Sequence, residues 1–250
     1  SSNHYLRAIK MFTRWLVKDR RAAEDRLAHL SQMNVDADRR RIRRPLSIEE
    51  FARLLQATAS GPSIQNIPGP DRVVLYIVAT YTGYRRNEIG SITRRSFDFE
   101  SAPPTLTVDA GYSKRRRRDV LPLRVDFAEQ IQQWLAGKPS LRPEEPLFDV
   151  AEKHTAEMLR KDLARAGIPY VDDCGHYADF HALRKTFITN LSRVGVSPKM
   201  AQLLARHSDI NLTMNTYTML GVHDQASAVE ALPPIPQVAG SREPLRATGS

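Results

Sequence analysis

The 250-residue sequence is poor in cysteine and has no long apolar run. Its single cysteine, Cys174, excludes an internal disulfide and a thiolate metal cluster, and it fits a reducing compartment, so we expect a cytoplasmic protein. No run of about 18 apolar residues and no secretory signal are present, which argues against a membrane location. A glycine-rich phosphate loop and a dinucleotide fingerprint are also missing, so nothing supports a nucleotide-driven mechanism.

The charge of the chain is strongly basic. Its 37 Lys and Arg against 28 Asp and Glu give a net charge of +9, while the 41% apolar and 26% charged residues are ordinary for a soluble globular protein. Such a balance indicates a polyanionic partner, nucleic acid above all, although a solubility feature has the same appearance. The first residue is Ser1 rather than Met, and we expect a fragment of a longer protein.

Residues 1–33 contain two segments with apolar residues at helical spacing, the first ending near Leu16 and the second around Leu27 and Leu30. They predict two helices, which are too few for a domain. We interpret them as the C-terminal end of a helical domain whose beginning is missing.

Residues 34–46 lack apolar periodicity and hold five arginines within six residues, which predicts a linker. A solvated hinge would have this composition. The interpretation that we favour is a strap along DNA phosphates, since arginine pairs readily with phosphate oxygens. The arginines concerned are Arg39, Arg40, Arg41, Arg43 and Arg44.

A second domain is predicted over residues 47–231. Ser47 and Glu50 form a helix-starting capping box, a buried helix runs from about Asp71 to Gly83, and the next helix has Ile89 inward. TLTVDAGYSKRRRRDVLPL predicts a β-hairpin, and helical patterns follow in RVDFAEQIQQWLA, HTAEMLRKDLARAG, FHALRKTFITNLSRVG and SPKMAQLLARH. The fold class is therefore mainly α with a small antiparallel β-sheet (α+β). A short helix in HDQASAVEAL and a flexible tail over 232–250 complete the prediction.

Five short motifs carry the residue types that metal-free cleavage of a phosphodiester needs. Such cleavage requires a nucleophile, positive charge on the phosphate oxygens and an acid for the leaving oxygen, which tyrosine, arginine, and histidine or lysine can supply. The motifs are TGYRRNE at 82–88, SKRRRRDVLPL at 113–123, HALR at 181–184, ARH at 205–207 and NTY at 215–217.

This succession, from residue 47 to about 231, resembles the tyrosine recombinase, or phage-integrase-like, family. The resemblance implies a site-specific DNA recombinase or integrase, typical of mobile elements, that cleaves and rejoins strands through a 3′-phosphotyrosyl intermediate. It implies double-stranded DNA as partner and no cofactor or metal. It also implies a homo-tetramer on paired DNA sites, with a monomer possible without DNA.

The resemblance assigns roles to the first three motifs. Arg85 holds the scissile phosphate, and Glu88, three residues on, orients that arginine or a neighbouring histidine. Lys114 stands eight residues before Pro122, as the family's catalytic lysine does, and is the general acid. The alternative is that the whole run is a phosphate-contacting patch. DNA backbone contacts are predicted for Arg115, Arg116, Arg117 and Arg118.

The later motifs match the rest of the family's site. His181 and Arg184 lie one helical turn apart, the first for proton transfer and the second to complete the phosphate clamp. His207 matches the third histidine position, and Tyr217, ten residues on, is the nucleophile. The family usually has Gly where this chain has Arg206, which makes the local geometry less certain. Two further DNA contacts are predicted, by Lys185 and by Arg206.

Alternatives remain open at this stage. A cluster of possible metal ligands has no recognised spacing and is interpreted as a loop; it comprises Asp172, Asp173, Cys174, His176, Asp179 and His181. A type IB topoisomerase shares the active-site geometry, and a non-catalytic DNA-binding protein could retain the fold. Residues 222–231 could dock onto a neighbouring subunit or fold back in cis on Ala226, Val229 and Leu232.

Overall fold

The computed structural model of the chain describes residues 2–34, 41–113, 116–150 and 153–217. The chain divides into two compact units, Ser1–Ile42 and Arg43–Ser250. In the described part of the chain no helix is long and apolar enough to cross a membrane.

Over residues 2–34, 41 and 42 the first unit contains one helix, α1 (Ser2–Lys18). The predicted second helix is wrong, because residues 19–34 form turns without a helix. The ammonium of Lys10 binds the carbonyl oxygens of Ala28 (2.9 Å) and Leu30 (2.6 Å), and Asn3 pairs with the backbone of Met33. These bonds use backbone groups that a second helix would have paired within itself.

The second unit is mainly helical with one small antiparallel sheet, so the predicted fold class is confirmed. Its elements in chain order are α2 (Ile48–Ala59), α3 (Gly69–Thr82), α4 (Arg86–Ile89), a 3₁₀ turn (Arg94–Ser96), β1 (Phe97–Asp98), β2 (Thr105–Val108), β3 (Asp119–Pro122), α5 (Val125–Ala136), α6 (Thr155–Arg165), α7 (Phe180–Arg193), α8 (Pro198–Leu204) and α9 (Asn211–Tyr217).

The sheet has the order β1-β2-β3, and the predicted hairpin is its β2–β3 pair, with Leu106 opposite Leu121. Both leucines point to the core, as the period of two in a half-buried strand requires. The predicted capping box of Ser47 and Glu50 begins α2. The helix predicted over HDQASAVEAL lies outside the described residues.

Helix α3 is the centre of the unit, and it packs against α2 and α7. It ends at Gly83, whose φ of +60° is left-handed. A Cβ at this position would lie 2.4 Å from Cδ1 of Phe187 on α7. Glycine is therefore required both by the backbone conformation and by the close approach of α7.

A buried polar network fixes α3 to α6. Arg72 donates two hydrogen bonds to Asp162 at 2.8 and 2.9 Å, and the hydroxyl of Tyr76 donates to the same carboxylate at 2.7 Å. Burial is the first cause that raises the pKa of Tyr76, and the charge of Asp162 adds to it, so the phenol stays a donor. The network fixes the helix whose C-terminal end leads to Arg85.

Candidate active site

Arg85 and Glu88 form one hydrogen-bonded unit in the turn between α3 and α4. One carboxylate oxygen of Glu88 accepts the backbone N–H of Arg85 at 2.8 Å, and the other accepts Nη1 of the Arg85 side chain at 2.8 Å. Glu88 is only 2% exposed, whereas the Arg85 side chain keeps 26% of its surface open. The buried carboxylate thus holds an accessible guanidinium in one orientation.

Arg184 connects three parts of the site. It lies in the first half of α7, which begins after Asp179 caps the backbone N–H of Ala182. Its guanidinium is buried and donates to the carbonyl oxygens of Gly83 and Ala205. Desolvation, followed by the charges of Arg85 and Arg206, lowers the pKa of Arg184 to about 9. The lowered pKa therefore reflects burial first and the neighbouring positive charges second.

His181 lies one turn before Arg184 and reaches the surface. It lines two pockets, one with Arg184 and the other with Arg85 and Glu88. The residue is exposed, yet desolvation, followed by the charges of Arg43 and Arg184, lowers its pKa from 6.5 to about 4. The imidazole is thus neutral at neutral pH and can donate or accept a proton.

His207 is the second neutral imidazole of the site, on the turn between α8 and α9. Its Nδ1 lies 2.9 Å from the hydroxyl of Thr213, which is completely buried. Desolvation, followed by the charges of Arg184 and Arg85, lowers the pKa of His207 to about 4. The hydrogen bond to Nδ1 leaves Nε2 as the nitrogen for a substrate.

Tyr217 is the last residue of α9. Its hydroxyl donates to the carbonyl oxygen of Val196 at 2.7 Å, and its ring packs against the cluster of Phe187, Ile188 and Ala205. Burial raises the pKa of Tyr217 above its usual value, so the phenol is neutral at physiological pH.

The DNA contact predicted for Arg206 is wrong, because the side chain is 4% exposed. Its guanidinium stacks on the ring of Tyr84 and donates to backbone carbonyl oxygens, so it faces the interior of the protein. Its backbone has a left-handed φ of +54°, the conformation that glycine adopts most easily.

Three other residues with predicted DNA contacts have partners inside the protein. Nε of Arg43 lies 2.8 Å from both carboxylate oxygens of Asp179, and Arg44 donates to Glu50 at 2.7 Å. The ammonium of Lys185 donates to the carbonyl oxygen of Arg43. In the structure these side chains fix the start of the second unit, where phosphate contacts were predicted.

The DNA contacts of the basic hairpin stay a prediction. Arg116, Arg117 and Arg118 are exposed between β2 and β3, and Arg116 lines the pocket that contains Arg85 and His181. Arg41 is exposed as well. Four predicted site residues lie outside the described part of the chain: Arg39, Arg40, Lys114 and Arg115.

Two of the acidic residues before α7 accept hydrogen bonds from nearby backbone N–H groups. The carboxylate of Asp172 accepts the backbone N–H groups of Cys174 and His176 at 3.0 and 2.8 Å, and Asp179 caps α7. Over the described ranges no group of three or more potential ligand side chains is arranged to hold a metal ion. These residues form the loop that was predicted.

Sequence reasoning missed three supporting residues. The capping role of Asp179 could have been predicted from the sequence, because an aspartate directly before a helical pattern is a regular N-cap signal. The pairing of Thr213 with His207 and the contact of Tyr84 with Arg206 join residues that only the folded chain brings together.

Several solved structures share the fold. The XerA recombinase superposes with a TM-score of 0.60 at 19% identity, over 92% of this chain and 75% of that one. The XerH site-specific recombinase bound to palindromic difH gives 0.61 at 19% identity, over 82% and 57%. The Tn1549 transposon integrase in complex with a circular intermediate DNA gives 0.62 at 16% identity, over 91% and 78%. The fold is thus that of the tyrosine recombinases.

The sequence comparisons identify the family. The sequence model of the phage integrase family matches residues 44–223, which is most of the chain, and the chain belongs to this family. A tyrosine recombinase XerC-like protein of Caldanaerobacter subterraneus subsp. tengcongensis is 40% identical over 73 residues. That match covers 29% of this chain and only 17% of the relative.

Proposed function

We propose that the chain is the catalytic part of a site-specific DNA recombinase or integrase that cleaves and rejoins strands through a 3′-phosphotyrosyl intermediate. One observation carries the proposal. Arg85, Arg184, His181 and His207 come from three separate parts of the chain, yet His181 lines one pocket with Arg85 and another with Arg184. After desolvation, the charges of both arginines lower the pKa of each histidine. Two guanidinium groups beside two neutral imidazoles suit a phosphate diester.

In the proposed reaction the phenolic oxygen of Tyr217 attacks the phosphorus, and the bond to the 5′-oxygen breaks. Arg85 and Arg184 stabilise the charge on the non-bridging oxygens, and His181 and His207 donate hydrogen bonds or move protons there. Lys114 supplies the proton to the departing 5′-oxygen. A 5′-hydroxyl of another strand then attacks the phosphotyrosine and releases Tyr217, so no nucleotide is consumed.

The hydrogen bond from Tyr217 to Val196 has to open before this attack. The phenolic proton must also leave, because the pKa of Tyr217 lies above its usual value, and the neutral imidazole of His181 is the base proposed to accept it. The positive charge of the two arginines near an arriving phosphate favours the phenolate.

Double-stranded DNA is the proposed partner. A net charge of +9 and the exposed arginines 116, 117 and 118 support backbone contacts, and the XerH and Tn1549 structures are complexes with DNA. We further propose residues 47–231 as the catalytic domain, a homo-tetramer on paired sites and a cytoplasmic location. Light scattering of the chain alone and on a two-site duplex measures the subunit number.

The test is trapping of a covalent adduct. A pool of nicked duplexes randomised around the nick is incubated with the protein, and DNA that stays attached after denaturation is recovered and sequenced. The recovered duplex then serves as a defined substrate on a denaturing gel. We expect an adduct that Tyr217→Phe abolishes, with a DNA dissociation constant within about threefold, since only the attacking hydroxyl is lost.

The matched control is Tyr81→Phe, because Tyr81 is an exposed tyrosine on α3. This variant should form the adduct at the rate of the unaltered chain. An adduct that persists in Tyr217→Phe would refute the nucleophile. Salt-sensitive binding without any adduct would favour a non-catalytic DNA-binding protein, and relaxation of a plasmid carrying the site without strand exchange would favour a topoisomerase.

A further inference from the structure

Arg206 joins the two turns that carry most of the site. Its Nη1 donates to the carbonyl oxygen of Leu204 at 2.9 Å, and its Nη2 donates to that of Thr82 at 3.1 Å. Thr82 is the last residue of α3, three residues before Arg85, whereas Arg206 itself directly precedes His207. One guanidinium thus ties the turn of His207 to the turn of Arg85.

The same guanidinium contacts the carboxylate that orients Arg85. Its central carbon lies 3.9 Å from the ring centroid of Tyr84, and Nη2 lies 3.9 Å from Oε2 of Glu88. This oxygen also accepts the backbone N–H of Arg85 at 2.8 Å. The carboxylate of Glu88 therefore lies within ion-pairing distance of both Arg85 and Arg206.

Stability alone is a poor reason for an arginine at this position. Its left-handed φ of +54° is unfavourable for a residue with a Cβ. The Nε atom is buried and has no hydrogen-bond partner among the described residues. Burial lowers the pKa of Arg206, and Arg85 adds repulsion. Such strain and desolvation are typical of residues retained for function.

We propose that Arg206 is a positioning residue, which acts through Glu88 to fix the Arg85 guanidinium toward the scissile phosphate and holds the His207 turn beside it. With 4% of its surface exposed it does not touch DNA itself. The inference rests on the proposed function, since it concerns the same phosphate site.

The first experiment compares the single-turnover rate of adduct formation on the nicked duplex at saturating protein. Arg206→Gln removes the charge, and Arg206→Gly retains the left-handed turn but removes the side chain. We expect adduct formation to slow by about 10- to 100-fold in both, the range for partners that orient a reacting group, with DNA affinity within about twofold. Arg160→Gln, which removes an exposed arginine above Tyr170, is the matched control and keeps the full rate.

A second experiment separates positioning from general structural support. In a Glu88→Gln background, Arg206→Gln should slow the reaction several-fold less than in the unaltered chain, because the part of its effect that passes through the carboxylate is already lost and only its hold on the His207 turn remains. The shifts in urea midpoint should behave in the same way: the shift of the double variant should be smaller than the sum of the shifts of the two single variants. A purely structural role predicts the same slowing in both backgrounds.

The proposal is overturned if Arg206→Gly keeps the rate of the unaltered chain, if the slowing is equal in both backgrounds, or if the urea shifts add. If the unaltered chain yields no adduct from any duplex, the proposed function fails. The urea measurements need no activity, and they still decide whether Arg206 and Glu88 act together.

Discussion

The hydrogen bond between Thr213 and His207 gives a prediction whose magnitude follows from burial. Thr213 is completely buried, and its hydroxyl lies 2.9 Å from Nδ1 of His207. Thr213→Val keeps the shape of the side chain but leaves that ring nitrogen without its partner. A buried polar atom that loses its only partner costs about 1 to 3 kcal/mol. We expect the free energy of unfolding to fall by about 1 to 2 kcal/mol, because His207 retains 9% exposure.

The chain offers a control with the same chemistry and the opposite expectation. Thr80 is buried in α3, and its hydroxyl has no hydrogen-bond partner in the described part of the chain. Thr80→Val therefore removes a polar group that is already unsatisfied, and we expect the free energy of unfolding to stay constant or to rise.

Urea unfolding followed by circular dichroism measures the free energy of unfolding of both variants. The comparison requires that the slope of this free energy against urea concentration is the same in the variants and the unaltered chain. Nitrogen NMR of the imidazole adds a second readout, since loss of the hydroxyl changes the hydrogen bonding, and hence the chemical shift, of Nδ1 of His207. The reasoning is refuted if Thr213→Val and Thr80→Val change the free energy of unfolding equally. An unchanged Nδ1 chemical shift in Thr213→Val would also contradict it.

Two further predictions concern charge. Asp162→Asn leaves the buried guanidinium of Arg72 without its counter-charge and should cost about 3 to 5 kcal/mol in urea unfolding. Asp126→Asn removes one charge of an ion pair that is 66–70% exposed and should leave the free energy of unfolding nearly unchanged. Equal losses would contradict the role of burial. For His207 the folded pKa of about 4 lies below the ordinary 6.5, so protons bind the unfolded chain preferentially between these values. The contribution of His207 to stability should fall by up to about 3 kcal/mol as the pH drops from 6.5 to 4, and less where solvent screens the ring. The lowered pKa of His181 adds a slope of the same sign, so His207→Gln should remove only part of the total slope.

Much of the second unit could be predicted from the sequence, because the signals that define it are local. The capping box of Ser47, the left-handed stop at Gly83 and the two strand segments around a basic turn each depend on residues that are near one another in the chain. The spacing of His181 and Arg184 on one helix is local as well. The order of the five motifs was enough to predict the family.

The second helix of the first unit shows where local periodicity fails. Leu27 and Leu30 have helical spacing, but the carbonyl oxygens of this segment bind the side chain of Lys10, which is distant in sequence. The competition between a helix and such a long-range bond is decided by the folded chain, and no pattern within the segment records it.

The tertiary structure alone decided which charged residues face the interior. Arginine usually lies on the protein surface, yet Arg184 and Arg206 are both buried. Their guanidinium groups donate to backbone carbonyl oxygens, including those of turns distant in sequence. The sequence by itself determined which side chains are available to hold a phosphate and on which elements they lie. Their burial, and hence the lowered pKa values of His181 and His207, comes from packing between elements far apart in the chain, because desolvation depends on every neighbouring atom.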